Sequence, residues 1–158
     1  MPELADVSRI CRALNELGAR YVLIGGFGVI SHGLVRSTKD VDLLIDDSPE
    51  NVAVVKKALG ILSDNAAAEV DDDDIHNYTV VRVADEVVVD LMGQACGVRY
   101  EEAIRDVVTK EIQGVPVPVA SLSTLMRTKE TLRPSDAADR GFLQELLEKE
   151  QKEHPPGG

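Results

Sequence analysis

The run Val87-Val88-Val89-Asp90-Leu91-Met92 sets one carboxylate inside a segment that is apolar on both faces. A strand of that pattern is covered above and below, which calls for an α/β fold: a mixed central β-sheet flanked by helices. A lone buried carboxylate is costly unless it is paired or coordinates a metal. Asp90 therefore needs company, and the rest of the chain has to supply it.

The company is found upstream, where Val41, Leu43 and Ile45 alternate with Asp40, Asp42 and Leu44. Side chains two apart on a strand leave the same face, so Asp40 and Asp42 point together. Alone, that pair would fit a solvated strand face. If Asp90 lies beside it, each pair at about 4 Å repels by up to about 4 kcal/mol at an effective dielectric near 20. A divalent cation turns that repulsion into binding, and an all-carboxylate site suits Mg²⁺ or Mn²⁺.

Ahead of this pair, Gly25-Gly26-Phe27-Gly28 follows the apolar run Tyr21-Val22-Leu23-Ile24. A glycine turn between strand and helix presents unpaired backbone N–H groups and lets a phosphate approach closely. No Gly-Lys-Ser/Thr follows, so it is not a Walker loop. Ser31 stands where a dinucleotide fingerprint needs its third glycine.

The remaining elements frame these residues. Leu4, Val7, Ile10, Cys11, Leu14 and Leu17 predict a helix over 3–18 ended by Gly18, and a short helix is expected over 25–33. Ser48-Pro49 opens a further helix bearing Val52, Val55, Leu59 and Leu62. Residues 63–75 read as an acidic loop, 77–83 and 86–92 as a hairpin joined at Ala84-Asp85, and 100–107 as a short helix. A last strand is expected over 110–119. Ser121 caps a helix through Arg133, Pro134-Ser135 opens another with Leu143, Leu146 and Leu147, and 151–158 reads as a disordered tail.

With 158 residues, 44% hydrophobic and 28% charged, the chain is expected to form one domain over 1–150. No apolar run approaches the roughly 20 residues of a membrane span. Cys11 and Cys96 have no metal-type spacing and read as reduced residues of a cytoplasmic protein. The net charge of −11 disfavours generic nucleic-acid binding.

Taken in order, the glycine pair, helix, Asp-x-Asp and later lone Asp resemble the active site of the DNA polymerase β-like nucleotidyltransferases. Ile24-Gly25-Gly26 through His32-Gly33, Arg36, Thr38, Asp40 and Asp42 resembles the AbiEii-type branch of abortive-infection and toxin nucleotidyltransferases. Leu125-Met126-Arg127-Thr128-Lys129 with Arg133-Pro134-Ser135-Asp136-Ala137-Ala138-Asp139 looks like that branch's Lys…Arg-x-x-Asp-x-x-Asp motif. The resemblance spans about residues 20–147. Gly28 departs from an expected Ala or Ser, and Ser135 from a frequent basic residue.

The resemblance implies an enzyme moving a nucleoside monophosphate from a nucleoside triphosphate to an acceptor hydroxyl on RNA, a protein or a small molecule. A toxin–antitoxin or phage-defence role, with an antitoxin as partner, is also implied. Asp40, Asp42 and Asp90 would hold metal, with Asp90 taking the acceptor's proton. Gly25, Gly26, Arg36, Thr38, Lys129, Arg133 and Asp136 would bind nucleotide, Lys129 also serving catalysis, and four-residue spacing puts Lys129 and Arg133 on one helix face. Asp136 and Asp139 would orient the cations or favour a helix dipole. His32 is expected to be structural, Asp71–Asp74 a solvated run, and His154 part of the tail. The alternative is a non-catalytic nucleotide- or partner-binding module, against which the third carboxylate argues. A sugar transferase with an Asp-x-Asp metal site leaves the glycine pair unexplained.

Overall fold

The stripe Val7, Ile10, Cys11 and Leu14 is buried along α1, Leu4–Glu16, and Gly18 at φ +72° turns the chain out of it. The computed structural model describes residues 2–130 and 133–153. Next come β1, Tyr21–Ile24, buried throughout, and α2, Gly25–Ser31, with no residue between them. β2 is Val41–Ile45 and α3 is Pro49–Leu59. Ser48 caps α3 by accepting the Asn51 N–H at 3.3 Å, with Pro49 at the first position.

Beyond a 3-10 turn at Ala66–Glu69, the acidic stretch forms α4, Asp74–Asn77. β3, Val81–Ala84, and β4, Val88–Met92, then pair antiparallel. A small separate hairpin follows from β5, Gln94–Ala95, and β6, Val98–Arg99. α5, Tyr100–Ala103, runs on into a 3-10 turn at Ile104–Asp106. β7, Val108–Ile112, and β8, Val115–Val119, complete the main sheet, and α6, Leu122–Thr128, and α7, Pro134–Glu153, close the described chain.

The sheet runs β3-β4-β2-β1-β8-β7 and is mixed, with β2–β4 and β1–β8 parallel and its other pairs antiparallel. One face turns Leu23, Leu43, Ile45, Val89 and Leu91 into a core shared with α1 and α3. The other turns Val22, Ile24, Leu44 and Met92 against Ala103, Leu125 and Leu143 of α5, α6 and α7. Both faces are covered, as the apolar strands require.

Four expectations change. The stretch 110–119 is a hairpin, because Gln113 at φ +47° and Gly114 at φ +82° turn the chain with the right-handed bias of a tight two-residue loop. Cys96 at φ +47° and Gly97 at φ +80° do the same between β5 and β6. The strand expected over 77–83 begins only at Val81, since Asp74–Asn77 is helical.

The helix expected to reach Arg133 stops at Thr128, and Arg140 donates to the Lys129 carbonyl just beyond it. Thr131 and Leu132 lie outside the described residues. The expected tail loses Gln151–Glu153 to α7, and 154–158, His154 included, falls outside the described residues.

Candidate active site

Register, more than sequence spacing, assembles the acidic site. Ile24 pairs with Asp42 across β1–β2, Asp42 with Asp90 across β2–β4, and Asp90 with Arg82 across β4–β3. These four residues form one row across four strands. Asp40 sits just before β2, and ligand oxygens of Asp40, Asp42 and Asp90 lie within 4.8 Å of one another. The expected convergence of the three carboxylates is thus present, with Asp90 buried and the other two half-buried.

Crowding and burial disfavour charge here. Burial pushes the Asp42 carboxyl up to about 7, and the nearby Asp40 and Asp90 add to it against the pull of Lys129 and Arg133. Asp40 is raised too, first by burial and then by Asp90. All the triad ligands are carboxylate oxygens, a donor set that fits a hard divalent cation.

The glycine turn packs directly on this row. Gly25 has φ +67°, and a Cβ there would stand 1.9 Å from Asp42 Oδ2. A Cβ on Gly26 would come within 2.7 Å of Thr38 Oγ1 and 3.0 Å of Arg36 Nη2. At Gly28, it would meet Leu125 Cδ2 of α6 at 3.0 Å and the Leu23 carbonyl at 3.3 Å. Gly26 and the departure at Gly28 are therefore close-packing positions in this chain.

The basic residues converge by a different route from the one expected. Lys129 lies past the end of α6 and Arg133 just before α7, so they do not share a helix face. Lys129 Nζ is buried and ion-paired to Asp136 Oδ1 at 3.2 Å and Asp139 Oδ2 at 3.1 Å. Arg36 Nη2 reaches Asp139 Oδ2 at 3.0 Å, and Arg133 Nε reaches Asp136 Oδ2 at 2.9 Å. Asp136 and Asp139 thus hold Lys129, Arg36 and Arg133 in place, a firmer role than favouring a helix dipole.

Two connected recesses meet at the triad. One, about 410 Å³, is lined by the basic Arg36, Lys39, Lys129 and Arg133, the acidic Asp40, Asp42 and Asp136, and Gly26 and Thr38. The other, about 150 Å³, is lined by Ile24, Val80, Met92, Ala95, Arg82 and Asp90, and shares Asp40, Asp42, Lys129 and Arg133 with the first.

Sequence reasoning missed Arg82 and Lys39. Arg82 Nε donates to Asp90 Oδ1 at 2.9 Å, and Nη2 donates to Asp90 Oδ2 at 3.0 Å and Asp40 Oδ2 at 2.9 Å. The joint expected at Ala84-Asp85 hid it, because only the observed register, Ala84 opposite Val88, sets Arg82 opposite Asp90. His32, as expected, is structural: Nε2 donates to the Ala120 carbonyl at 3.0 Å, and burial lowers its pKa.

A mixed sheet with this row of carboxylates beside a strand–glycine–helix turn defines a nucleotidyltransferase. A Thermotoga maritima crystal structure of a candidate nucleotidyltransferase is similar in fold, with TM-score 0.57 and 15% identity over 92% of each chain. The chain belongs to the aminoglycoside-2''-adenylyltransferase family, whose model matches residues 6–143. That match supports the superfamily to which the sequence motifs pointed. It does not extend to the AbiEii-type branch. No curated protein matches the chain.

Proposed function

We propose that this nucleotidyltransferase, with residues 1–150 working as one domain, moves AMP from ATP to a hydroxyl of a small polycationic aminosugar. The observation that carries the transfer chemistry is the clustering of Asp40, Asp42 and Asp90 where the two recesses adjoin. The donor and acceptor follow the name of the family, and the net charge of −11 favours a cationic acceptor over RNA.

Asp40, Asp42 and Asp90 would hold Mg²⁺ or Mn²⁺. Bound there, the ion would neutralise triphosphate charge and stabilise the attacking and leaving oxygens of an in-line displacement that releases pyrophosphate. Gly25 and Gly26 let the start of α2 lie directly against Asp42, Thr38 and Arg36, so its first N–H groups, which have no intrahelical acceptor, are beside the site for phosphate. Arg36, Thr38, Lys129 and Arg133 line the phosphate recess, with Asp136 fixing the two basic residues nearest it. Arg36 Nε is buried without a hydrogen-bond partner among the described residues, a donor left over for a ligand. Asp90, buried and next to the smaller recess, takes the proton from the acceptor hydroxyl.

No described helix is long and apolar enough to cross a membrane. A cytoplasmic setting, where nucleotide and reduced thiols coexist, suits the free Cys11 and Cys96. A second reading rests on the Lys129…Arg133-x-x-Asp136-x-x-Asp139 motif: an AbiEii-type toxin modifying an RNA 3′ end or a protein, with an antitoxin as partner. The non-catalytic module is the third.

One experiment separates the three. Labelled NTPs are supplied with Mg²⁺ and, separately, aminoglycosides, RNA and a protein extract, with Asp42→Asn protein as control. Label on an aminoglycoside, lost in the control, supports the proposal. Label on RNA or protein replaces the acceptor, and nucleotide binding with no labelled product in any arm favours the module.

A further inference from the structure

Two of the triad's three carboxylates, Asp90 and Asp40, meet one cation at the row's outer end. Arg82 lies on β3, the edge strand, with more than half its side chain exposed. Its guanidinium nevertheless engages both oxygens of buried Asp90, and the same Nη2 bridges Asp90 Oδ2 and Asp40 Oδ2. A single nitrogen spanning two carboxylates stands where a bridging cation would bind. Proximity to Asp90, and then Asp40, pushes the guanidinium pKa upward, so it stays charged.

We propose that Arg82 is a built-in counter-cation that the divalent metal displaces from Asp90 and Asp40, so that it sets the metal affinity of the site. This inference rests on the metal reading under Proposed function. The physical reason is competition for the same lone pairs: a dication and a guanidinium repel, and the oxygens that Arg82 holds are those the metal requires. Without metal, Arg82 relieves part of the triad's repulsion and keeps Asp40 and Asp90 aimed at each other. With metal, it gives way toward the smaller recess that it lines.

Competition makes a prediction opposite in sign to that of a supporting residue. If Arg82 merely braced Asp90, its removal would weaken metal binding. If it competes, Arg82→Gln binds metal more tightly while the metal-free fold loses stability. The guanidinium is partly solvated, so the gain is modest, about three- to tenfold in affinity. Metal then stabilises the variant more than the wild type, because linkage scales with affinity.

The test is calorimetric titration of Mn²⁺ into wild-type, Arg82→Gln and Arg82→Lys protein, with melting temperatures in EDTA and in saturating Mn²⁺. Arg82→Gln should bind about three- to tenfold tighter, melt lower than wild type in EDTA, and recover most of that gap with Mn²⁺. Arg82→Lys, which keeps the charge without the bidentate fork, should fall between the two and covers the case in which the Gln variant does not fold. Unchanged or weaker Mn²⁺ affinity in the variants, beside a wild type that binds, would overturn the competition. So would a melting gap that Mn²⁺ leaves intact. A folded wild type that binds no Mn²⁺ would instead remove the metal reading itself.

Discussion

Asp136 and Asp139 are each 1% exposed, more deeply buried than Asp40, Asp42 or Asp90, yet each is ion-paired to more than one cation. Three cations, Lys129, Arg36 and Arg133, converge on those two carboxylates. In the other cluster Asp40 and Asp90 share one direct ion-pair partner among the described residues, Arg82, held on an exposed edge strand. Both clusters border the same recess. The difference teaches which one is scaffold. A buried pair that is broken is costly, so a fold keeps it closed, whereas a cluster short of positive charge keeps repulsion that Arg82 relieves in part. The paired cluster, three cations on two carboxylates, carries net positive charge, and the acidic one net negative charge.

The contrast can be broken first at Asp90. The Asp90→Asn variant should lower transfer by about 10²–10⁴-fold, measured as labelled product per minute, since the acceptor loses its base. It should hold or raise the melting temperature in EDTA, because a buried charge is gone. Wild-type turnover in a stable variant would move the acid–base role elsewhere.

At the paired cluster the loss should appear in stability. Lys129→Met leaves Asp136 and Asp139 short of a cation and should cost about 3–5 kcal/mol in urea unfolding with EDTA present. A loss below 1 kcal/mol would mean that Arg36 and Arg133 suffice and that the two clusters differ less than their geometry suggests.

pH sharpens the comparison with a smaller effect. Folded metal-free protein keeps the Asp42 proton until about pH 7, whereas an ordinary aspartate releases it near 3.8. The native state therefore binds more protons across that window, and stability falls as pH rises from about 4 to about 7. The contribution is no more than about 4 kcal/mol, and less where Arg82 and solvent screen the triad. Asp42→Asn should flatten this slope in a series of urea melts in EDTA. A wild-type slope that persists in the variant would assign it to other groups.

Much of this site was legible along the chain. The Asp90 interruption, the two-residue spacing of Asp40 and Asp42, and the Gly25-Gly26 turn each report a local rule: strand period, burial cost, backbone freedom. Those rules act within a few residues, so sequence determined the strands carrying Asp42 and Asp90 and the place of Asp40 just ahead of the first of them. The Ser48-Pro49 helix start and the α1 stripe are of the same kind.

Tertiary structure decided what depends on register and on partners far along the chain. The position of Arg82 opposite Asp90 turns on where the hairpin loop falls. A joint at Ala84-Asp85 would pair Asp90 elsewhere, but Asp85 is drawn out of the strand to accept the N–H groups of Asp64, Ala66 and Glu86. The observed register pairs Ala84 with Val88 and so Arg82 with Asp90. Likewise, Lys129 and Arg133 converge on one recess because Asp136 and Asp139 on the next helix bind them, not because of four-residue spacing. Local pattern fixes which side chains a strand offers. Only the packed sheet and its long-range hydrogen bonds fix which of them meet, because a one-residue change in register redirects every pair.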